Sequence, residues 1–330
     1  MSRRSTALAV LAASSLGLAA CSSDGSGGAS TAEADAANCP GDVLDVVVSV
    51  DQWGDVVQAL GGDCTNVTTV INSTAVDPHD YEPTTGDIAA FEGADLVVVN
   101  GADYDHWASD AVQNLDPQPV VVDAAEVVGI EEEHAEDEHS EDDGHAEGEE
   151  GHGSVNPHLW YSPEYVQQTA DAVTAELSDL SPDAADYFAD RATAWTTDLQ
   201  PYTDELTTIE GLAAGKTYAA TETVFDYTAA AVGLTDATPE GYRDAASNES
   251  DPATGDVAAF EAALADGSID VLVFNTQTEG SVPDQLRSAA EAAGVPVVEV
   301  TESVPSDDGS FVQWQLSQLQ QLADALGGGQ

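Results

Sequence analysis

From residue 44 onward, short apolar runs alternate with stretches in which apolar residues return every three or four positions. The short runs, at 44–50, 66–71, 95–100, 119–124, 216–221, 270–275 and 295–300, are rich in valine and bounded by Gly, Asp, Asn or Pro. That length and composition predict buried β-strands. Helical spacing fills 51–62, 84–94 and 104–115, a segment ending near 177, a segment through Tyr227, and 252–265, 283–293 and 310–326. The longest helical pattern covers 181–212, with Ser181 as N-cap and Pro182 at the first helical position. Pro201 lacks an amide proton and should kink this helix or start a new turn. Strands that alternate with helices imply parallel sheets covered by helices. The expectation is an α/β protein of two βα lobes, at 43–180 and 213–330, flanking a linking helix at 181–212.

The ends change the picture. Arg3 and Arg4 precede an apolar run from Ala7 to Ala20 that stops at Cys21. This is the pattern of a secretory signal at 1–20, too short and too lightly flanked for a convincing membrane span. Leu18-Ala19-Ala20-Cys21 resembles the bacterial lipobox, which makes Cys21 the expected lipidated residue and the new N-terminus. The Gly/Ser/Ala-rich 21–42 is expected to be a flexible tether. The protein is therefore expected outside the cytoplasmic membrane, held there by lipid, and monomeric. With Cys21 set aside, Cys39 and Cys64 form an even pair in an oxidising compartment, as one disulfide or as two separate thiols.

Charge narrows the partners. Six Lys and Arg face 62 Asp and Glu, a net charge of −56. Such a surface repels nucleic acid and anionic membranes and attracts cations. The acids include a run at 131–153, EEEHAEDEHSEDDGHAEGEEGHG, with no apolar residue larger than alanine. It cannot form a core and is expected to be a solvated insertion in the first lobe. Its histidines, His134, His139, His145 and His152, are spaced five, six and seven apart, so none is preorganised as a helical i, i+4 chelate. The expected role is a weak, auxiliary metal collector. An acidic linker with incidental histidines is the plainer alternative.

Ligands of parallel sheets gather beyond the carboxyl ends of the strands. His79 in DPHDYEPT follows the second predicted strand, and His158 in NPHLW follows the fourth and the insertion. Glu222 in ATETVF follows the strand at 216–221, and Glu279 in FNTQTEG follows that at 270–275. Singly, His79 fits a polar turn, His158 a satisfied core histidine and Glu222 a helix cap. Together, two imidazoles and two carboxylates suit a borderline divalent ion: zinc, manganese or iron.

The motifs DPHDYEPT, NPHLWYSP, TETVFDY and VPVVEVTES are similar to those of the zinc/manganese-binding substrate-binding proteins of bacterial ABC importers. The likeness spans about residues 43–326. It implies two Rossmann-like lobes joined by a long rigid helix, with one transported ion between them. It also implies an ABC permease and its ATPase as partners. By resemblance His79 and His158 are ligands from the first lobe, and Glu222 and Glu279 from the second, with Asn275 as the alternative to Glu279. Glutamate at 222 resembles manganese-type members, whereas the acidic His-rich insertion resembles zinc-type members. Zinc is favoured, because divalent affinities at such sites generally rise toward it. No HExxH, GxSxG or phosphate-loop motif points to an enzyme. The other alternative is a metal-containing surface adhesin.

Overall fold

The computed structural model describes residues 29–74, 79, 81–130, 155–248, 250–278, 280–305 and 309–327. Cys21, Glu279 and the four histidines of 131–153 lie outside them. The first lobe runs β1 (Ser30–Ala32), β2 (Leu44–Val50), α1 (Asp51–Gly61), β3 (Thr65–Ile71), α2 (Thr85–Ala90), β4 (Leu96–Val99), α3 (His106–Gln113), β5 (Val120–Asp123), α4 (Ala124–Val127) and α5 (Pro163–Leu180). Then come α6 (Ala185–Asp198) and α7 (Gln200–Ala213). The second lobe runs β6 (Thr217–Ala220), α8 (Asp226–Ala231), β7 (Thr235–Asp236), α9 (Glu240–Ser247), α10 (Thr254–Asp266), β8 (Val271–Asn275), α11 (Ser281–Ala293), β9 (Val297–Val300) and α12 (Phe311–Ala325).

The first sheet has the order β1-β3-β2-β4-β5 and the second β7-β6-β8-β9. All pairings are parallel except β1 with β3. The alternating strand and helix pattern therefore gives the α/β fold expected. One detail differs. Ser30, Thr31 and Ala32 were expected in a free tether, yet they pair with Thr69, Thr68 and Val67. An edge strand needs only backbone hydrogen bonds to an exposed neighbour, so a short polar one leaves no hydrophobic period in the sequence. The linking segment is two helices meeting at Leu199, the break expected of Pro201, which removes one amide donor from the ladder.

Cys39 and Cys64 are joined by a disulfide with their Cα atoms 4.9 Å apart. It ties the segment before β2 to the turn before β3, at the amino ends of the strands. One continuous core runs from Val46, Val48 and Val98 through Trp160 and Phe188 to Phe225, Trp314 and Leu322. The lobes thus share buried apolar surface, the main source of their cohesion. Among the described residues, no helix is long and apolar enough to cross a membrane.

Candidate metal centre

Where the carboxyl ends of both sheets face each other, His79, His158, Glu222 and Glu302 converge. One donor atom from each lies within 4.8 Å of all the others. The Nε2 atoms of His79 and His158 are 3.2 Å apart. Glu302 Oε2 is 3.3 Å from His79 Nε2 and 3.5 Å from His158 Nε2, and Glu222 Oε1 is 3.8 Å from His79 Nε2. The side chains are 11%, 2%, 14% and 2% exposed in the order His79, His158, Glu222, Glu302, so the cluster is almost closed to water.

Each donor is placed by its local fold. His158 precedes a single 3-10 turn, Leu159–Tyr161. Asn156 Oδ1 accepts from the backbone amide of His158 at 3.0 Å and contacts its Nδ1 at 2.8 Å. That contact puts the proton on Nδ1 and turns the Nε2 lone pair into the cleft. The loop is braced from behind, since Asn100 Nδ2 donates to Pro157 O at 2.9 Å. His79 stands edge-on to Tyr104, with ring centroids 4.9 Å apart.

Glu222 lies two residues beyond β6 and opens the 3-10 turn Thr223–Phe225. Its side chain makes no cap hydrogen bond and is free to face the cleft. Glu302 lies two residues beyond β9. Gln277 Oε1 accepts from the Glu302 and Ser303 amides at 2.8 and 2.9 Å. The first lobe also grips Glu302: Gln52 Nε2 donates to its carbonyl at 2.7 Å, and the Tyr104 hydroxyl to Oε2 at 3.0 Å. Burial would raise the Glu302 carboxyl, but hydrogen bonds to His158 and His79 and their charge outweigh it and hold the group well below the usual carboxylate range. Burial, reinforced by the adjacent Glu302 charge, pushes the Tyr104 phenol up and keeps it a neutral donor.

The structure therefore brings His79, His158 and Glu222 together as the sequence suggested. The fourth converging carboxylate among the described residues is Glu302, and Glu279 is outside them. Glu302 stands in VPVVEVTES, and the strand-end rule applied to β9 instead of β8 would have found it. Asn275 is at the cluster with its amide nitrogen toward both glutamates, 2.7 Å from Glu222 Oε2 and 2.8 Å from Glu302 Oε1. It acts there as a hydrogen-bond donor.

Two parallel-sheet lobes closing on a buried pair of histidines and a pair of glutamates define an ion-binding protein of the two-lobed type. The family described as "ZnuA: Zinc-uptake complex component A periplasmic" matches residues 46–325. The chain belongs to that family, whose members are metal-binding substrate-binding proteins of ABC importers and not enzymes. It is 28% identical over 332 residues to the high-affinity zinc uptake system protein ZnuA of Bacillus subtilis (strain 168), covering 99% of this chain and 98% of that one. It is 26% identical over 173 residues to the manganese-binding lipoprotein MntA of Halalkalibacterium halodurans, covering 51% and 52%. Among solved structures, a crystal structure of ZnuA aligns with a TM-score of 0.68 at 20% identity, covering 87% of this chain and 100% of that one. A mutant laminin-binding adhesin (Lmb) of Streptococcus agalactiae aligns with a TM-score of 0.68 at 21% identity, covering 86% and 99%. The two structural likenesses establish the fold.

Proposed function

We propose that the protein binds one divalent transition-metal ion outside the cytoplasm and delivers it to an ABC-type permease. His79, His158, Glu222 and Glu302 would be the ligands. One observation carries this reading: the spacing of the donor atoms across two lobes. Four donors at zinc distances of about 2.0–2.1 Å would stand about 3.3 Å apart at the corners of a tetrahedron. Four of the six spacings, 3.2, 3.3, 3.5 and 3.8 Å, fall around that value, and all six lie within 4.8 Å. Zinc is the favoured cargo, with manganese or iron as competitors. The zinc-uptake relative aligns over nearly the whole chain, and mixed imidazole and carboxylate donors suit zinc.

The name of the manganese-binding relative includes "lipoprotein". Together with Cys21, this supports a lipid anchor on the outer face of the membrane. The insertion at 131–153 would gather ions weakly near the cleft. Deleting it should leave one tight ion per chain and remove further weak zinc equivalents. An adhesin shares the fold, but interaction with a surface partner does not require a donor cluster closed between lobes. Metal analysis of protein purified without chelator, with competition titrations of zinc against manganese, tests the reading. One tightly held ion, lost in Glu302→Gln, is the expected result. Undiminished binding in that variant would exclude Glu302 from the site.

A further inference from the structure

We propose that Asn275 sets the metal preference of the cleft by leaving each glutamate only one oxygen to offer an ion. The inference rests on the reading above, that His79, His158, Glu222 and Glu302 hold the cargo. Asn275 ends β8 and is 1% exposed. Its Oδ1 accepts from the Gln277 backbone amide at 3.1 Å. This fixes the orientation of the side-chain amide, because exchanging its oxygen and nitrogen would set N–H against N–H and oxygen against two carboxylates. Its Nδ2 carries two protons and has two carboxylate acceptors, Glu222 Oε2 at 2.7 Å and Glu302 Oε1 at 2.8 Å. The Thr278 hydroxyl adds a second donor to Glu222 Oε2.

The oxygens so engaged are not those nearest the histidines. Glu222 Oε1 and Glu302 Oε2 make the close approaches to His79 Nε2. Each carboxylate thus has one oxygen turned to Asn275 and one facing the cleft, the latter in Glu302 also accepting from the Tyr104 hydroxyl. Turning a glutamate so that both oxygens meet one ion would strip it from Asn275 and leave a buried N–H unpaired, which is unfavourable. Four single-atom donors match the closed tetrahedral sites of zinc. Manganese favours six oxygen-rich positions and would need second carboxylate oxygens or waters, in a cleft with little access to water. Asn275 therefore discriminates between ions without touching either, and is a positioning residue.

The test combines zinc and manganese titrations with the visible spectrum of Co2+-loaded protein, which separates four-coordinate from six-coordinate cobalt by intensity. Wild type should show the intense four-coordinate spectrum. Asn275→Ala should weaken that spectrum and lower the ratio of zinc to manganese affinity by about tenfold, the lower end of effects from groups that orient ligands. Thr278→Val frees only Glu222 and should shift both readouts the same way by less. A purely structural defect would weaken both metals alike and leave the ratio and the spectrum of the bound ion unchanged, and that result would overturn the proposal. So would a six-coordinate spectrum in wild type that still binds zinc tightly. If Asn275→Ala does not fold, the wild-type spectrum and Thr278→Val decide. Wild-type protein that binds neither metal tightly would instead overturn the transport reading itself.

Discussion

The two lobes hold their halves of the cluster by different means. The first lobe presents imidazoles among aromatic rings, His79 against Tyr104 and His158 against Trp160, with centroids 4.9 and 5.5 Å apart. The second presents carboxylates whose outer oxygens meet uncharged donors, the Asn275 amide and the Thr278 hydroxyl. Neutral anchors orient Glu222 and Glu302 without cancelling their charge. That charge draws in a cation, while the nitrogens exclude hard ions such as calcium and magnesium, which take oxygen ligands. Exclusion of hard ions thus comes from the first lobe and attraction from the second.

Removing the attraction should have the largest effect. Glu302→Gln keeps the shape and loses a buried charge beside a divalent ion. Its metal affinity should fall at least about a hundredfold, as expected when one partner of a buried charge pair is lost. Titration calorimetry measures this directly. Next come the nitrogens. His158→Ala and His79→Ala should each cost at least about tenfold, the minimum expected even of groups that only orient ligands. The loss should be greater for His158, which is the more buried and is locked by Asn156. Equal losses would show that the Asn156 contact adds nothing.

Beside the cluster, where Asp51 meets Val304, the effect should fall mainly on stability. Burial raises Asp51, at the start of α1, from 3.8 to about 7, although the Val304 amide bonds its Oδ2 at 3.2 Å and opposes the shift. The folded state therefore holds a proton that the unfolded chain has released. The resulting stability is full below about pH 4 and is lost as pH rises through 7. Asp51→Asn cannot ionise and should be more stable than wild type at pH 8, by up to about 4 kcal/mol from a shift of about three units. The advantage should shrink at pH 5. Urea unfolding at the two pH values measures both, and an advantage independent of pH would contradict the burial argument. Smaller again is the disulfide, at the strand ends opposite the ions. Replacing Cys39 and Cys64 with serine should cost about 3 kcal/mol by the loop-closure argument, with zinc affinity retained.

Much of this arrangement was legible from valine runs and helical spacing. Strand β2 was expected over the residues it occupies, and α1 to within one residue, because both bury a full face. What escaped was structure without a hydrophobic signature. Strand β1 is exposed throughout, β7 has two residues, and α9 buries only Tyr242. At the site, three donors were legible as polar residues in the segments that follow strands. Glu302 was not chosen, since both β8 and β9 have a glutamate beyond their ends and periodicity does not say which loop turns inward. Glu302 is held in place by Asn275, at the end of β8, and by Gln277 just beyond it. Such long-range pairing is invisible to local pattern.

The grip on Glu302 has a mechanical consequence. This residue is carried by the second lobe, yet its carbonyl is held by Gln52 and its carboxylate by Tyr104, both of the first. A force that parts the lobes is therefore borne by the residue proposed to bind the ion, and opening and unloading would become one event. By reciprocity, the factor by which the ion weakens docking of a partner that favours the open form equals the factor by which that partner weakens ion binding. Such a protein needs no separate trigger for release, because prying the lobes apart is itself the act of letting go.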